Sequence, residues 1–364
     1  MGWIALSDQN RQIFDLAGLG PEAVRNVPEQ LTPNSLLARG TIMFETKLPG
    51  DGRPRQLLSY HRAHPWVSGL TIQELPTGGI VLVITQGADV FHTVLEHGAQ
   101  AHGEELRVSY SWDAPRRWGR LAVERIGSGK VYTRILKDPK PLLLSDLRIM
   151  VLDPVQRQVD RGVTYFAIST DIEPIGLTPS LTGKVPVLTS FGYRPAAQIK
   201  RGDVLQVPGR GGVPVLEVIR QTVPARGALQ TIRLRAPYFG LQQDIIVGAE
   251  QKLRIGGSAV EYLFGCPQVL VPAGHLVNGV SALRYTKVET VTYYQFIMPA
   301  SEPFQTAGPT LESQFIGRMR RSPDLIAASP LADRDRMYLP EHSSLALPVL
   351  DPFEANTLAE LRAA

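Results

Sequence analysis

Apolar and polar residues alternate with a period of two along much of this chain. Leu106, Val108, Tyr110 and Trp112 fall on one face of an extended segment, and Arg107, Ser109, Ser111 and Asp113 on the other. That is the pattern of a half-buried strand. Leu121 to Arg125, then Gly127-Ser128-Gly129, then Val131 to Leu136 reads as a hairpin with a glycine-supplied turn. Residues 79–85, GIVLVIT, read as a buried strand. Many such runs between 37 and 170 predict a sandwich rather than βαβ units. Further β-rich runs follow at 185–189, 204–207, 213–219, 231–234 and 291–298. Helical periodicity is confined to residues 8–16 and 354–363.

Between the two β-rich blocks lies DIEPIGLTP, 171–179, whose two prolines and glycine disfavour regular structure and mark a boundary. The expected organisation is an N-terminal extension at 1–36, a β-sandwich at 37–172 and an exposed linker at 173–179. A second all-β domain occupies 180–317, and an extended tail at 318–364 ends in a short helix.

Composition narrows the function classes. With 364 residues, two hydrophobic cores are the natural arrangement. The net charge of +4 is spread over 38 basic and 34 acidic residues, and the one basic cluster is Arg318-Met319-Arg320-Arg321. No nucleic-acid partner is expected from so small a footprint. No apolar run is long enough to cross a bilayer, and the start, MGWIALSDQNRQIF, has no cationic region followed by an apolar one. A cytoplasmic location, or export without such a signal, is the expectation. The single cysteine, Cys266, excludes an intramolecular disulfide framework and a multi-Cys metal site; in LFGCP it reads as a small buried hydrophobe. No cofactor is expected.

The second block resembles the Hint domain, the fold shared by hedgehog autoprocessing domains and inteins, in its bacterial form. Three segments carry the resemblance: SLTGKVPVLTSFGYRPAAQIKRGDVLQV from 180, LFGCPQVLVPAGHLVNGVSALR at 263–284, and TYYQFIMPASEPFQTAGPTLESQF at 292–315. Ser180 falls on the family's first-residue cysteine, Gly192 on its turn glycine, and Gly202-Asp203 on its Gly-Asp pair. The resemblance implies a horseshoe-like all-β fold and a first residue that attacks the preceding carbonyl. It also implies a Thr-x-x-His or Ser-x-x-His motif that handles protons there. On those two positions this chain has Gly248 and Gln251, and a later His-Glu pair is matched by Ser301-Glu302. A serine hydroxyl is a weak nucleophile without a base, and glutamine exchanges no proton near neutral pH. His275 sits in the framework segment and reads as structural. A C-terminal His-Asn with a following nucleophile is absent, which excludes splicing.

The first block resembles concanavalin-like and laminin-G-like jelly rolls in the cadence of GTIMFETKLPG, QLLSYHRAHPWVSGLTIQEL, GIVLVITQG and WDAPRRWGRLAVER. Such folds imply glycan binding. His61, His64 and Trp66, together in a proline-broken stretch, are the candidate binding edge, and an aromatic loop packed on the sandwich rim is the bland alternative. Two histidines three apart with no third ligand nearby predict no metal. The fold expected is therefore mainly β: a jelly-roll-like sandwich followed by a Hint-like domain. The function expected is a degenerate Hint module serving as a structural or interaction scaffold beside a lectin-like domain whose partner is a glycan or another protein. The alternatives are slow N–O acyl shift at Pro179-Ser180, and glycan or surface binding by the sandwich alone.

Overall fold

The computed structural model describes residues 2–20, 32, 34–49, 51–64, 66–98, 103–345 and 347–363. The chain is mostly β and divides into two compact units, Met1–Gly176 and Leu177–Ala364.

The first unit is a sandwich of two antiparallel sheets. Seven strands lie in the order Lys130–Lys137, Trp118–Arg125, Glu105–Asp113, Arg39–Lys47, Val163–Ser169, Trp3–Asp8 and Gln12–Phe14. Five lie in the order Arg157–Val159, Arg55–Arg62, Ser68–Leu75, Gly79–Gln86 and Asp89–Glu96. Between them, Ile42, Phe44, Val108, Trp112 and Phe166 pack on Leu58, Leu70, Ile72 and Leu82. The hairpin read at 121–136 is present, with Arg125 opposite Lys130 and Gly129 at φ +64° in its turn.

Three sequence expectations change here. Residues 8–16, read as a helix, instead turn between two strands. Asp8 Oδ1 accepts from the amides of Asn10 (2.8 Å) and Arg11 (2.7 Å), an aspartate turn that outcompetes a helical start. The expected 1–36 extension is not separate at its start, because Trp3–Asp8 pairs with Val163–Ser169 inside the large sheet. The strand at 105–113 is buried on both faces: Arg107, Ser109, Ser111 and Asp113 are as buried as their apolar neighbours.

The chain at 171–176, which includes the first part of the linker expected at 173–179, lies along that polar face. The Thr41 hydroxyl donates to Asp171 O (2.8 Å), and the amides of Glu173 and Gly176 donate to Thr41 Oγ1 (3.0 Å) and Glu124 Oε1 (2.8 Å). Arg120 Nη2 donates to Glu173 O (2.6 Å), and Ile175 is buried.

Glu173 itself titrates abnormally. Burial pushes its carboxyl up to about 7, although Ser169 Oγ donates to it at 2.6 Å. A folded-state pKa above the unfolded value means the native protein binds the extra proton between about pH 4.5 and pH 7, so stability from this group falls as pH rises through that window. Glu173→Gln should therefore gain on the wild type from pH 4.5 to 7, by on the order of 2 kcal/mol once residual solvent contact is allowed for. Thermal melts followed by tryptophan fluorescence test this, since Trp3, Trp66, Trp112 and Trp118 all lie in the first unit. A variant-minus-wild-type difference independent of pH would refute it. His97 runs the other way: burial lowers its imidazole to about 4, so protonating it costs stability in acid.

The second unit holds three antiparallel sheets. Its largest orders Glu217–Pro224, Thr290–Ile297, Leu181–Thr182, Ile245–Gly248, Thr231–Leu234 and Ala282–Tyr285. Two four-stranded sheets, one around Pro186–Thr189 and Val204–Val207, the other around Lys252–Gly256 and Gln268–Pro272, share its core. The stretch from 318 onward is not a free tail. Leu350, Ala355 and Leu358 join the core, and Leu270 exchanges backbone hydrogen bonds with Pro348 and Leu350. The terminal helix expected at 354–363 is present as Pro352–Ala363. His342 locks the same region, accepting from Ile316 N (3.2 Å) at Nδ1 and facing Met298 O (3.0 Å) with Nε2.

Candidate functional site

Ser180 opens a two-residue strand, Leu181–Thr182, clamped between the strands Ile245–Gly248 and Thr290–Ile297. So short a strand is held by its neighbours rather than by its own propensity. Gly248 makes the clamp close. Its amide donates to Ser180 O at 2.6 Å, and a Cβ at Gly248 would stand 3.1 Å from Ser180 Cβ and 3.2 Å from Tyr293 Cζ. The chain then turns, with Gln251 N bonded to Gly248 O (3.0 Å), and this brings the Gln251 side chain back onto Ser180.

The Ser180 hydroxyl donates to Gln251 Oε1 at 2.8 Å and faces Gln295 Nε2 at 3.3 Å. Gln295 Nε2 also donates to Gln251 Oε1 (3.0 Å). Gln251 Nε2 in turn donates to Glu312 O and Lys252 O, both at 3.1 Å. All three side chains are buried. The result is a closed network of one hydroxyl and two amides, fixed on main-chain carbonyls. It can orient the Ser180 hydroxyl, but its polar members are neutral amides that neither take nor give a proton near pH 7.

Ser301 and Glu302 stand one step away. Ser301 Oγ donates to Glu312 Oε1 at 2.6 Å, and burial raises the Glu312 carboxyl above its ordinary value, with the Ser301 bond partly opposing. Glu302 is buried and ion-paired with Arg210. Its amide donates to Ser313 Oγ (3.0 Å). The structure thus joins Ser180, Gly248 and Gln251 directly and reaches Ser301 through Glu312, whereas Glu302 pairs elsewhere. His275 faces Leu350 O at 3.2 Å through Nδ1.

Sequence reading missed Gln295 and Glu312 as members of the network. Gln295 had one signal: an amide within the apolar run Tyr293 to Met298, where an inward polar residue needs a buried partner.

The other candidates, His61, His64 and Trp66, lie in the first unit, exposed, at the end of the strand Arg55–Arg62 and in the loop after it. The Arg62 guanidinium stands 5.6 Å from the centre of the Trp66 ring and pairs with buried Asp146 at 2.8 Å. Among the described residues no cluster of three His, Cys, Asp or Glu side chains is arranged to hold a metal ion, and no helix is long and apolar enough to cross a membrane.

Residues 179–318 match the family model described as a Hint domain. No curated protein matches the chain. Among solved structures, the CBM40 of the Ruminococcus gnavus IT-sialidase bound to alpha2,6 sialyllactose is 13% identical, with 38% of this chain and 79% of that one covered and a TM-score of 0.28. The LG1-3 region of the laminin alpha2 chain is 12% identical, covering 79% of this chain and 54% of that one at a TM-score of 0.25. The botulinum neurotoxin serotype D binding domain is 9% identical, covering 82% of each at 0.28. Scores this low say nothing about ligands or activity.

Proposed function

We propose that the Hint domain of this protein is catalytically degenerate: it keeps the chain joined at Pro179-Ser180 and serves as a structural or interaction module beside the sandwich. The observation that carries this is the hydroxyl of Ser180 donating to the Gln251 amide, with the Gln295 amide as its other partner. An attacking hydroxyl must lose its proton to a base within hydrogen-bond reach, and an amide oxygen is not one. Burial of the network among hydrogen-bonded carbonyls supports a role in holding structure, because satisfied buried polar groups specify one arrangement.

Intact mass of the full chain, followed over prolonged incubation with and without hydroxylamine, tests the reading. The expected result is a single species under both conditions. A fragment beginning at Ser180, released faster by hydroxylamine, would establish the N–O acyl shift instead.

A second reading concerns the sandwich as a glycan- or surface-binding module. Exposed Trp66, with Arg62 over its ring and His61 and His64 close in sequence, supports it, since an exposed aromatic ring offers a stacking face for a sugar. A glycan array with the full chain and with Trp66→Ala tests it. Signal that survives the substitution unchanged would remove this loop from the binding edge.

A further inference from the structure

The face of the seven-stranded sheet turned away from the sandwich core carries Thr41, Arg120, Glu124 and Ser169. Across it runs the segment 171–176, DIEPIG, which joins no β-ladder. Side chains of the sheet hold it by its main chain instead. Ser169 Oγ accepts from Asp171 N (3.1 Å), and Thr41 Oγ1 donates to Asp171 O (2.8 Å) while accepting from Glu173 N (3.0 Å). Arg120 Nη2 donates to Glu173 O (2.6 Å), and Glu124 Oε1 accepts from Gly176 N (2.8 Å).

These bonds also select a sequence. Asp171 and Glu173 each turn amide and carbonyl to the sheet, as alternate residues of an extended chain do. The same period puts Ile172 and Pro174 on the opposite side, where the missing N–H of a proline costs nothing. The Glu173 carboxyl accepts from Ser169 Oγ (2.6 Å), and Asp171 pairs with Arg39 at 3.3 Å. Ile175 is buried, and Gly176 has φ +90°, a left-handed backbone that favours glycine. Each of the five main-chain bonds has a sheet side chain as its other half, so the same atoms can serve an unattached chain of this pattern.

We propose that this face of the sheet is a peptide-binding surface, filled in cis by 171–176, that takes in trans an extended segment of a partner protein with an acidic residue, any residue, then Glu-Pro-aliphatic-Gly. The proposal is independent of the glycan reading of the loop at Trp66 and of the degenerate reading of Ser180. A tethered segment competes at an effective concentration on the order of millimolar, so a trans peptide is seen once the tethered one is impaired.

The test uses the full chain with 171–176 replaced by alternating glycine and serine, and a labelled peptide of residues 170–177, TDIEPIGL. The replaced chain should melt below the wild type by tryptophan fluorescence. Peptide at about ten times its dissociation constant should raise that melting temperature by about 3–6 °C. Fluorescence anisotropy should show binding to the wild type weaker by about tenfold or more, since its own segment fills the surface. A peptide N-methylated at the Glu173 amide loses the bond to Thr41 and should bind about tenfold more weakly to the replaced chain. Ile175→Ser in the otherwise intact chain is a second, milder host should the replaced chain fail to fold. No binding to either host, equal binding of a scrambled or N-methylated peptide, or a wild type that binds as tightly as the variants would each overturn the proposal.

Discussion

Ser180→Cys combined with Gln251→His should make the chain cleave before residue 180 when a thiol is added, at a rate roughly 100- to 10,000-fold above either single variant, the usual worth of positioned acid–base help. The new sulfur would attack the carbonyl carbon of Pro179, the C–N bond to residue 180 would break as its nitrogen takes the proton, and the added thiol would then displace the sulfur at position 180 from the resulting thioester, which parts the chain. The position of Gln251 is suited to an imidazole. Its Nε2 already donates to Glu312 O at 3.1 Å while its Oε1 accepts from Ser180 Oγ at 2.8 Å. A histidine there can keep the first bond with one ring N–H and receive the proton of the introduced thiol with the other nitrogen.

Gly248 should be left alone, although the sequence resemblance sets it against a Ser or Thr. A Cβ at 3.1 Å from Ser180 Cβ and 3.2 Å from Tyr293 Cζ must push one of them aside. Adding Gly248→Ser should therefore slow cleavage relative to the double variant. Each single change should stay silent, because nucleophile and base act as a unit. Pro179→Gly belongs in the series, since the tertiary amide of proline resists the acyl shift. Mass spectrometry would read the fragments 1–179 and 180–364. A folded, uncleaved set of variants that includes Pro179→Gly would show that Ser180 does not stand where the nucleophile belongs.

Arg107→Ala should destabilise the first unit by about 3–5 kcal/mol, the cost of stranding buried charge. Arg107 Nε and Nη2 donate to Glu45 Oε1 at 2.9 and 2.8 Å, and Nη1 stands 3.9 Å from Glu124 Oε2. All three side chains are nearly inaccessible to water. Burial alone would lower the guanidinium pKa, but the two carboxylates more than reverse it, so Arg107 is held charged. Removing it takes away the cation that bridges two buried carboxylates, of which Glu124 keeps Arg120 nearby.

Replacing only the directly bonded pair, Arg107→Met with Glu45→Gln, should cost much less, because Glu124 keeps buried Arg120 as its counter-charge and its bond from the Gly176 amide at 2.8 Å. Tryptophan fluorescence in urea reads this unit selectively, as the four tryptophans all belong to it. Arg107→Ala within about 1 kcal/mol of wild type would show that the cluster is solvated in solution, as exposed ion pairs are.

The sequence by itself determined many of the strands and the likeness of residues 179–318 to a Hint domain. Alternation along 105–113 and the glycines at 127–129 specify a strand and a hairpin through local sterics and solvent preference, and ordered motifs from 180 to 315 specify the Hint match. The resemblance also pointed to Ser180 and Gln251 as residues to look at, and the structure brings their side chains within 2.8 Å of each other. The sequence misjudged residues 8–16, where a side-chain turn at Asp8 and a distant partner strand outweigh local helical spacing.

Only the tertiary structure decided what covers each surface. A period of two says which side chains share a face but not whether a returning segment will bury the polar one, as 171–176 does through its bonds to Thr41, Arg120 and Glu124. The same holds at Ser180, whose partners Gln251 and Gln295 lie 71 and 115 residues away. No local pattern encodes such pairings, because they arise from sheet register and from the requirement that buried polar groups find partners, which the whole chain meets only once it is folded.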